Sequence, residues 1–152
     1  MTKMTDRFEQ FVSGITLCYK HIQRIKSLEM TELGLKGTQA MCVFYLYRKP
    51  EGLTAAQLSQ LCLEDKAAVS RTLAHLAEGG YLEQAEEGSK RYRAHIILSQ
   101  KGRELGEKVN ELIAEWVEMG GEGLSAEERA AFYHGLEVIS RNLQERYSGK
   151  AL

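Results

Sequence analysis

Apolar side chains recur at three- and four-residue steps along most of this chain, the spacing that lines them up on one side of an α-helix. Phe8, Phe11, Val12, Ile15, Tyr19, Ile22 and Ile25 predict a long first helix from about residue 6 to 29. "LGLKGTQ" interrupts the pattern, with Gly34 and Gly37 as punctuation. Thr38 to Tyr47 predicts a second helix presenting Met41, Phe44 and Tyr45, and "RKPEG", with the chain's one proline, ends it.

Thr54-Ala-Ala-Gln57 has the form of a capping box, in which hydroxyl and amide each satisfy a backbone N–H at a helix start. It predicts a third helix of roughly eight residues. Asp65 is the expected N-cap of a fourth, which runs to Glu78 and stops at Gly79-Gly80. Val69, Leu73 and Leu76 share one side of that fourth helix. Lys66, Ser70, Arg71 and His75 leave its other side polar and basic.

The period then changes. Tyr81–Gln84 and Arg91–Leu98 bracket the polar loop "AEEGSK" and predict an antiparallel hairpin. Ser99 is expected to cap a fifth helix striped by Leu105, Val109, Leu112 and Trp116. "MGGEGLS" breaks it. Ser125 and Glu128 form a second capping box and open a sixth helix, with Phe132, Leu136, Ile139, Leu143 and Tyr147 along one side. The predicted fold class is all-α with a small β-hairpin wing.

A helix-turn-helix followed by a hairpin is a winged helix, and its second short helix fits a major groove about 12 Å wide. Lys66 and Arg71 suit phosphate or a guanine edge, while Ser70 and His75 donate or accept. Lys90, Arg91 and Arg93 put three positive charges at the wing tip, within reach of a minor groove. Between Lys36 and Lys101 nine Lys/Arg stand against seven Asp/Glu, a segment of +2 in a chain of net −1. Any nucleic-acid affinity must therefore come from this local patch.

A chain of 152 residues with 43% apolar and 27% charged side chains is expected to be one soluble domain, residues 1–152. Within it, residues 37–102 form the winged-helix DNA-binding core, and 6–36 with 103–148 are mainly dimerisation helices. The wide apolar stripes of those terminal helices exceed what a winged helix needs, and a second copy is the simplest surface to cover them. No window approaches a membrane span and the N-terminus has no signal-like apolar core, so a cytoplasmic protein without membrane contact is expected. Cys18, Cys42 and Cys62 form no C-x-x-C pair and no metal spacing. They are expected to be reduced, small buried groups. No catalytic constellation, metal site or cofactor motif is present.

The run "LTAAQLSQLCLEDKAAVSRTLAHLAEGGYLEQ" followed by "KRYRAHIILSQKGRELGEKV" resembles the multiple antibiotic resistance regulator (MarR) family of transcription factors. "VSRTL", "GGYLE" and "LSQKG" carry the likeness most specifically. It implies a homodimer on a pseudo-palindromic double-stranded DNA operator, most often a repressor. By the resemblance Thr54 and Gln57 sit at the start of the supporting helix, and Lys66, Ser70, Arg71 and His75 face the major groove. Family members commonly carry Asp-x-Arg in the wing; here Lys90 and Tyr92 hold those slots, so either Arg91 or Arg93 is left to enter the minor groove. The family's small aromatic ligands imply a cleft near His21, Arg24, Met41 and Tyr45. Two alternatives stand beside this one: a winged-helix protein-interaction module, and a thiol-based redox-sensing regulator working through Cys18.

Overall fold

Helices form where the apolar spacing places them, and their ends are set by side-chain caps and glycines. The computed structural model describes residues 2–83 and 95–148 and divides into two units, residues 1–111 and 112–152. The described helices are α1 (Thr2–Glu32), α2 (Gly37–Tyr47), α3 (Ala55–Cys62), α4 (Lys66–Glu78), α5 (Gln100–Gly120) and α6 (Ala126–Tyr147). α1 outruns its predicted 6–29 at both ends. Its last turn is anchored by Met30, buried against the first unit's core, and Gly34 at φ 72 ends the run.

In the first unit α1 packs on α2, and α2, α3 and α4 pack on one another. Leu46, Leu53, Leu58, Val69 and Leu98 form the centre, with Tyr45, Tyr47, Leu73, Leu82 and Ile96 packed around them. At α3 the predicted capping box is complete: Thr54 Oγ1 accepts from the Gln57 N–H at 3.2 Å, and the Thr54 N–H donates to Gln57 Oε1 at 2.8 Å. Asp65 caps α4 by accepting from the Ala68 N–H at 2.7 Å.

The turn joining α3 to α4 has a feature the pattern did not predict. Leu63 ends α3 in the left-handed region, φ 54 and ψ 40, where a branched side chain is unusual. The turn is held by Glu64 N–H to Ser59 O at 3.2 Å and by Ser59 Oγ donating to Glu64 O at 2.5 Å. The far end of α4 closes as expected on glycine. Gly80, at φ 76, lets the Tyr81 N–H reach back to Leu76 O at 3.0 Å.

Of the predicted hairpin, residues 84–94, with Lys90, Arg91, Tyr92 and Arg93, lie outside the described residues. At its base the chain pairs through isolated antiparallel bridges rather than strands: Leu82 with Leu98, and Leu53 with Ile96. The 95–98 stretch thus lies between two neighbours. It exchanges both backbone hydrogen bonds with Leu53, at 3.1 and 2.8 Å, and takes the Glu83 N–H on Ile97 O at 2.8 Å. The part played by Leu53 has no hydrophobic alternation to announce it.

"LSQKG" locks this base to the end of α4. Ser99 Oγ donates to Gly80 O at 2.6 Å and accepts from the Gly102 N–H at 3.1 Å. Lys101 Nζ donates to Gly79 O at 2.7 Å and sits 4.5 Å over the Tyr81 ring. Arg103 donates to Leu98 O at 2.9 Å. Gly102 passes so close that a Cβ there would lie 2.0 Å from the Tyr81 carbonyl oxygen, and at Gly106 a Cβ would meet the Tyr47 side chain at 2.8 Å.

In the second unit the Ser125–Glu128 capping box is also complete, at 3.1 and 2.8 Å. Arg129 bridges to Glu118 at 3.2 Å, tying the start of α6 to the end of α5. The cysteines correct one expectation: Cys42 is buried and Cys62 half-buried, but Cys18 is exposed, on a stretch of α1 whose side chains all face outward. Among the described residues no helix is long and apolar enough to cross a membrane, and no three potential metal ligands cluster.

Two stability effects follow from these contacts. Gly102→Ala forces the wing base away from α5 and should cost about 1–3 kcal/mol, outweighing the helix propensity it gains. Thr54→Ala should cost about 1 kcal/mol by loss of the cap, whereas Thr54→Ser keeps the hydroxyl and should cost little. Urea unfolding midpoints check both.

Candidate nucleic-acid interface

α4 is built with two unlike sides. Val69 is wholly buried, Leu76 is 1% exposed and Thr72 is 7% exposed, and these three hold the helix against its neighbours. Lys66, Ser70, Arg71 and His75 all lie on exposed positions, as does Ala74 between them. A row of short and long polar side chains interrupted by alanine leaves the helix slim enough to enter a groove. His75 Nδ1 stands 3.9 Å from the Glu78 carboxylate, so protonation of His75 would give an exposed pair at the helix end.

Thr54 is half-buried and Gln57 exposed, and both side chains are engaged in capping α3. Their polar atoms fix where α3 starts, so part of their hydrogen-bonding capacity is already used. Thr54 retains its hydroxyl proton and Gln57 its amide N–H groups for a further partner. Lys90, Arg91 and Arg93 of the wing lie outside the described residues.

The structure adds residues that the chain pattern left as a mere break between helices. Arg71 and His75 line a shallow hollow of about 210 Å³ together with Lys36, Thr38, Gln39, Ala68 and Thr72. Lys36 is the N-cap of α2 and gives no side-chain cap, though its own N–H is satisfied by Gln39 Oε1 at 2.9 Å. The first turn of α2 therefore opens N–H groups and the positive end of its dipole beside two basic side chains of α4. That combination suits a phosphate. The signal in the sequence was "KGT", a lysine and glycine opening a helix with no acidic or hydroxyl cap before them; only the packing of α2 on α4 gives it meaning.

The four residues expected near a ligand cleft are placed apart in character. His21 and Arg24 are exposed on α1, and Met41 and Tyr45 are half-buried on α2. Burial pushes the Tyr45 phenol up from its ordinary value, an effect increased by charge on Cys62 and opposed by Arg48. A separate hollow of about 280 Å³ lies under the base of the wing, lined by Leu46, Tyr47, Pro50, Ile97, Leu98 and Arg103. None of the four is on its wall.

Comparison with known proteins supplies the rest. No curated protein sequence matches the chain. Among solved structures it is similar to the transcriptional regulator SlyA, with 20% identity, a TM-score of 0.78, and 90% of this chain and 96% of that one covered. It is similar to S. aureus MepR in its complex with DNA, with 17% identity, a TM-score of 0.75 and coverage of 87% and 97%. For Streptococcus pneumoniae FabT in complex with DNA the values are 20%, 0.74, 91% and 98%. At these identities the likeness carries the fold alone. Sequence evidence is confined to the head of the molecule, where residues 33–91 match the MarR family model. That segment holds α2, α3 and α4, and through it the chain is similar to the MarR family.

Proposed function

We propose that this protein is a sequence-specific DNA-binding transcriptional regulator that acts as a homodimer on a pseudo-palindromic operator. The observation that carries this is the exposed side of α4, where Lys66, Ser70, Arg71 and His75 stand free of the core that Val69, Thr72 and Leu76 enter. The DNA complexes of MepR and FabT, which share this fold, support it. On this reading residues 37–102 are the DNA-binding core of a single domain, and α1, the end of α5 and α6 hold the dimer.

Roles divide by position. Arg71 and His75, beside the open first turn of α2, take a backbone phosphate. Lys66 and Ser70, on the outer side of α4, meet base edges, and Lys90, Arg91 and Arg93 of the wing reach the flanking minor groove. Thr54 and Gln57 steady the start of α3 against the adjacent phosphates.

The dimer is supported by apolar surface with no cover in one copy. On α1, Phe8 is 70% exposed, and Met4, Leu17 and Tyr19 are more than half exposed; on α6, Phe132, Tyr133 and Leu143 are also more than half exposed. Such patches mark interfaces. Two α4 helices must stand about 34 Å apart to meet successive major grooves, so a ligand that prefers another spacing releases DNA by its differential affinity. We assign repression and release by a small aromatic ligand on this basis, with His21 and Arg24 of α1 and Met41 and Tyr45 of α2 as its contacts.

Fluorescence anisotropy with a duplex from the protein's own upstream region, against a scrambled duplex, tests the assignment. Preferential binding with a steep salt dependence is expected, and equal weak binding to both duplexes at every salt concentration sinks it. Arg71→Ala should weaken binding to all duplexes alike and make the slope of log K against log salt shallower by about one, the mark of a lost phosphate contact. Sedimentation should give twice the chain mass.

A further inference from the structure

Two of the three cysteines meet inside the head. Cys42, in the middle of α2, is fully buried, and Cys62, the last residue of α3, is half-buried. Their sulfur atoms lie 3.8 Å apart although the residues are twenty positions apart in the chain. A disulfide needs the sulfurs at about 2.05 Å, so rotation of the two side chains with a small shift of the last turn of α3 brings them to bonding distance.

We propose that Cys42 and Cys62 are a hydroperoxide-responsive dithiol that closes to an intramolecular disulfide and thereby displaces α4. The chemistry assigns each sulfur a part. Cys62, which reaches solvent, attacks the peroxide as thiolate; the O–O bond breaks, Cys62 becomes a sulfenic acid, and water or an alcohol leaves. Cys42 then attacks the Cys62 sulfur, the S–O bond breaks, and hydroxide leaves to take up the thiol proton as water. Two thiols lose two electrons and the peroxide gains them.

The surroundings fit these parts. With Cys42 as donor, the S–H···S contact holds the Cys62 thiol below its ordinary value; Lys26 of α1 adds to this, while burial and Glu64 oppose it. Cys42 is pushed up, first by the same hydrogen bond and then by burial, so it stays a thiol until its partner is oxidised. Tyr45 of α2 is the other titratable neighbour. The rate of closure should therefore rise with pH and level off below the pH at which an ordinary cysteine ionises.

The pair also sits where movement matters. Cys62 directly precedes Leu63, the left-handed residue from which the chain turns into α4. Ser59 and Glu64 brace that turn by two hydrogen bonds, so it moves as a unit when Cys62 is drawn toward α2. The crosslink stands independently of the DNA reading; its effect on affinity rests on that reading.

The test treats the reduced full-length protein with hydrogen peroxide, maps peptides without reductant, and measures anisotropy on the same samples. A linked peptide pair carrying Cys42 and Cys62, a chain that stays uncrosslinked to its neighbour on a non-reducing gel, and reversal by dithiothreitol are expected. Affinity for the preferred duplex should fall about tenfold, within the usual range of coupling between sites, and return on reduction. Cys62→Ser should bind DNA normally and ignore peroxide. Cys42→Ser should stop at a sulfenic acid trapped by dimedone; should that variant not fold, the peptide map of the unaltered protein decides alone. Two free thiols after peroxide, or oxidation confined to Cys18, overturns the proposal, and a Cys42–Cys62 disulfide without change in affinity overturns its regulatory half. A reduced protein with no duplex preference counts against the DNA reading and leaves the dithiol standing.

Discussion

The head of this molecule depends on α4 burying one side completely while leaving the other bare. Thirteen residues give a helix of under four turns, too short to be stable in water by its own hydrogen bonds. Burial supplies what the backbone cannot: Val69 sinks into the centre formed with Leu46, Leu58 and Leu98, Leu73 packs against it, and Thr72 and Leu76 are buried as well. Every polar side chain that faces outward is then positioned by contacts it does not itself make. This is why Lys66, Ser70 and Arg71 need no acidic neighbour among the described residues for the helix to keep its place.

Both ends of α4 are gripped as well. Asp65 and the braced turn at Leu63 fix the start, and Ser99, Lys101 and Gly102 fix the end by reaching the carbonyls of Gly79, Gly80 and Tyr81. The "LSQKG" run therefore owes its composition to closure. A serine accepts one N–H and donates to one carbonyl, a lysine covers a second carbonyl, and a glycine removes the Cβ that would strike a third. The 95–98 stretch at the base of the predicted wing is thereby fastened to the end of the same helix whose other side faces outward.

Much of this was legible in the chain. Thr54, Asp65 and Ser125 announced helix starts because a capping side chain acts on a backbone group only two or three residues away, and local chemistry of that kind survives in sequence. The two sides of α4 were legible for the same reason, through period. What stayed hidden depends on residues that the fold brings together from afar. The bridge from Leu53 to Ile96 spans more than forty positions, and the open first turn of α2 gains its basic neighbours only when α4 packs on it. Leu63 adopts a conformation that sequence statistics assign to glycine or asparagine, and only the hydrogen bonds of Ser59 and Glu64 around it account for that choice. The exposed Cys18 was misplaced because a cysteine is usually buried, whereas this one stands on a stretch of α1 whose residues are all exposed.

The arrangement gives the turn between α3 and α4 a hold on α4 and, through the end of α4, on the 95–98 stretch. α3 is short, is packed against α2 and α4, and ends on a residue held in an uncommon conformation, so a shift of its last turn cannot be absorbed by bending within the helix. It passes instead into the start of α4, and from the end of α4 through Gly79 and Gly80 into the wing base. A close-packed centre of leucine and valine side chains transmits such a shift rather than damping it, because it has few voids into which side chains can retreat. The sulfur pair joins α2 to α3 at a place where a displacement of less than two ångströms acts on this turn directly.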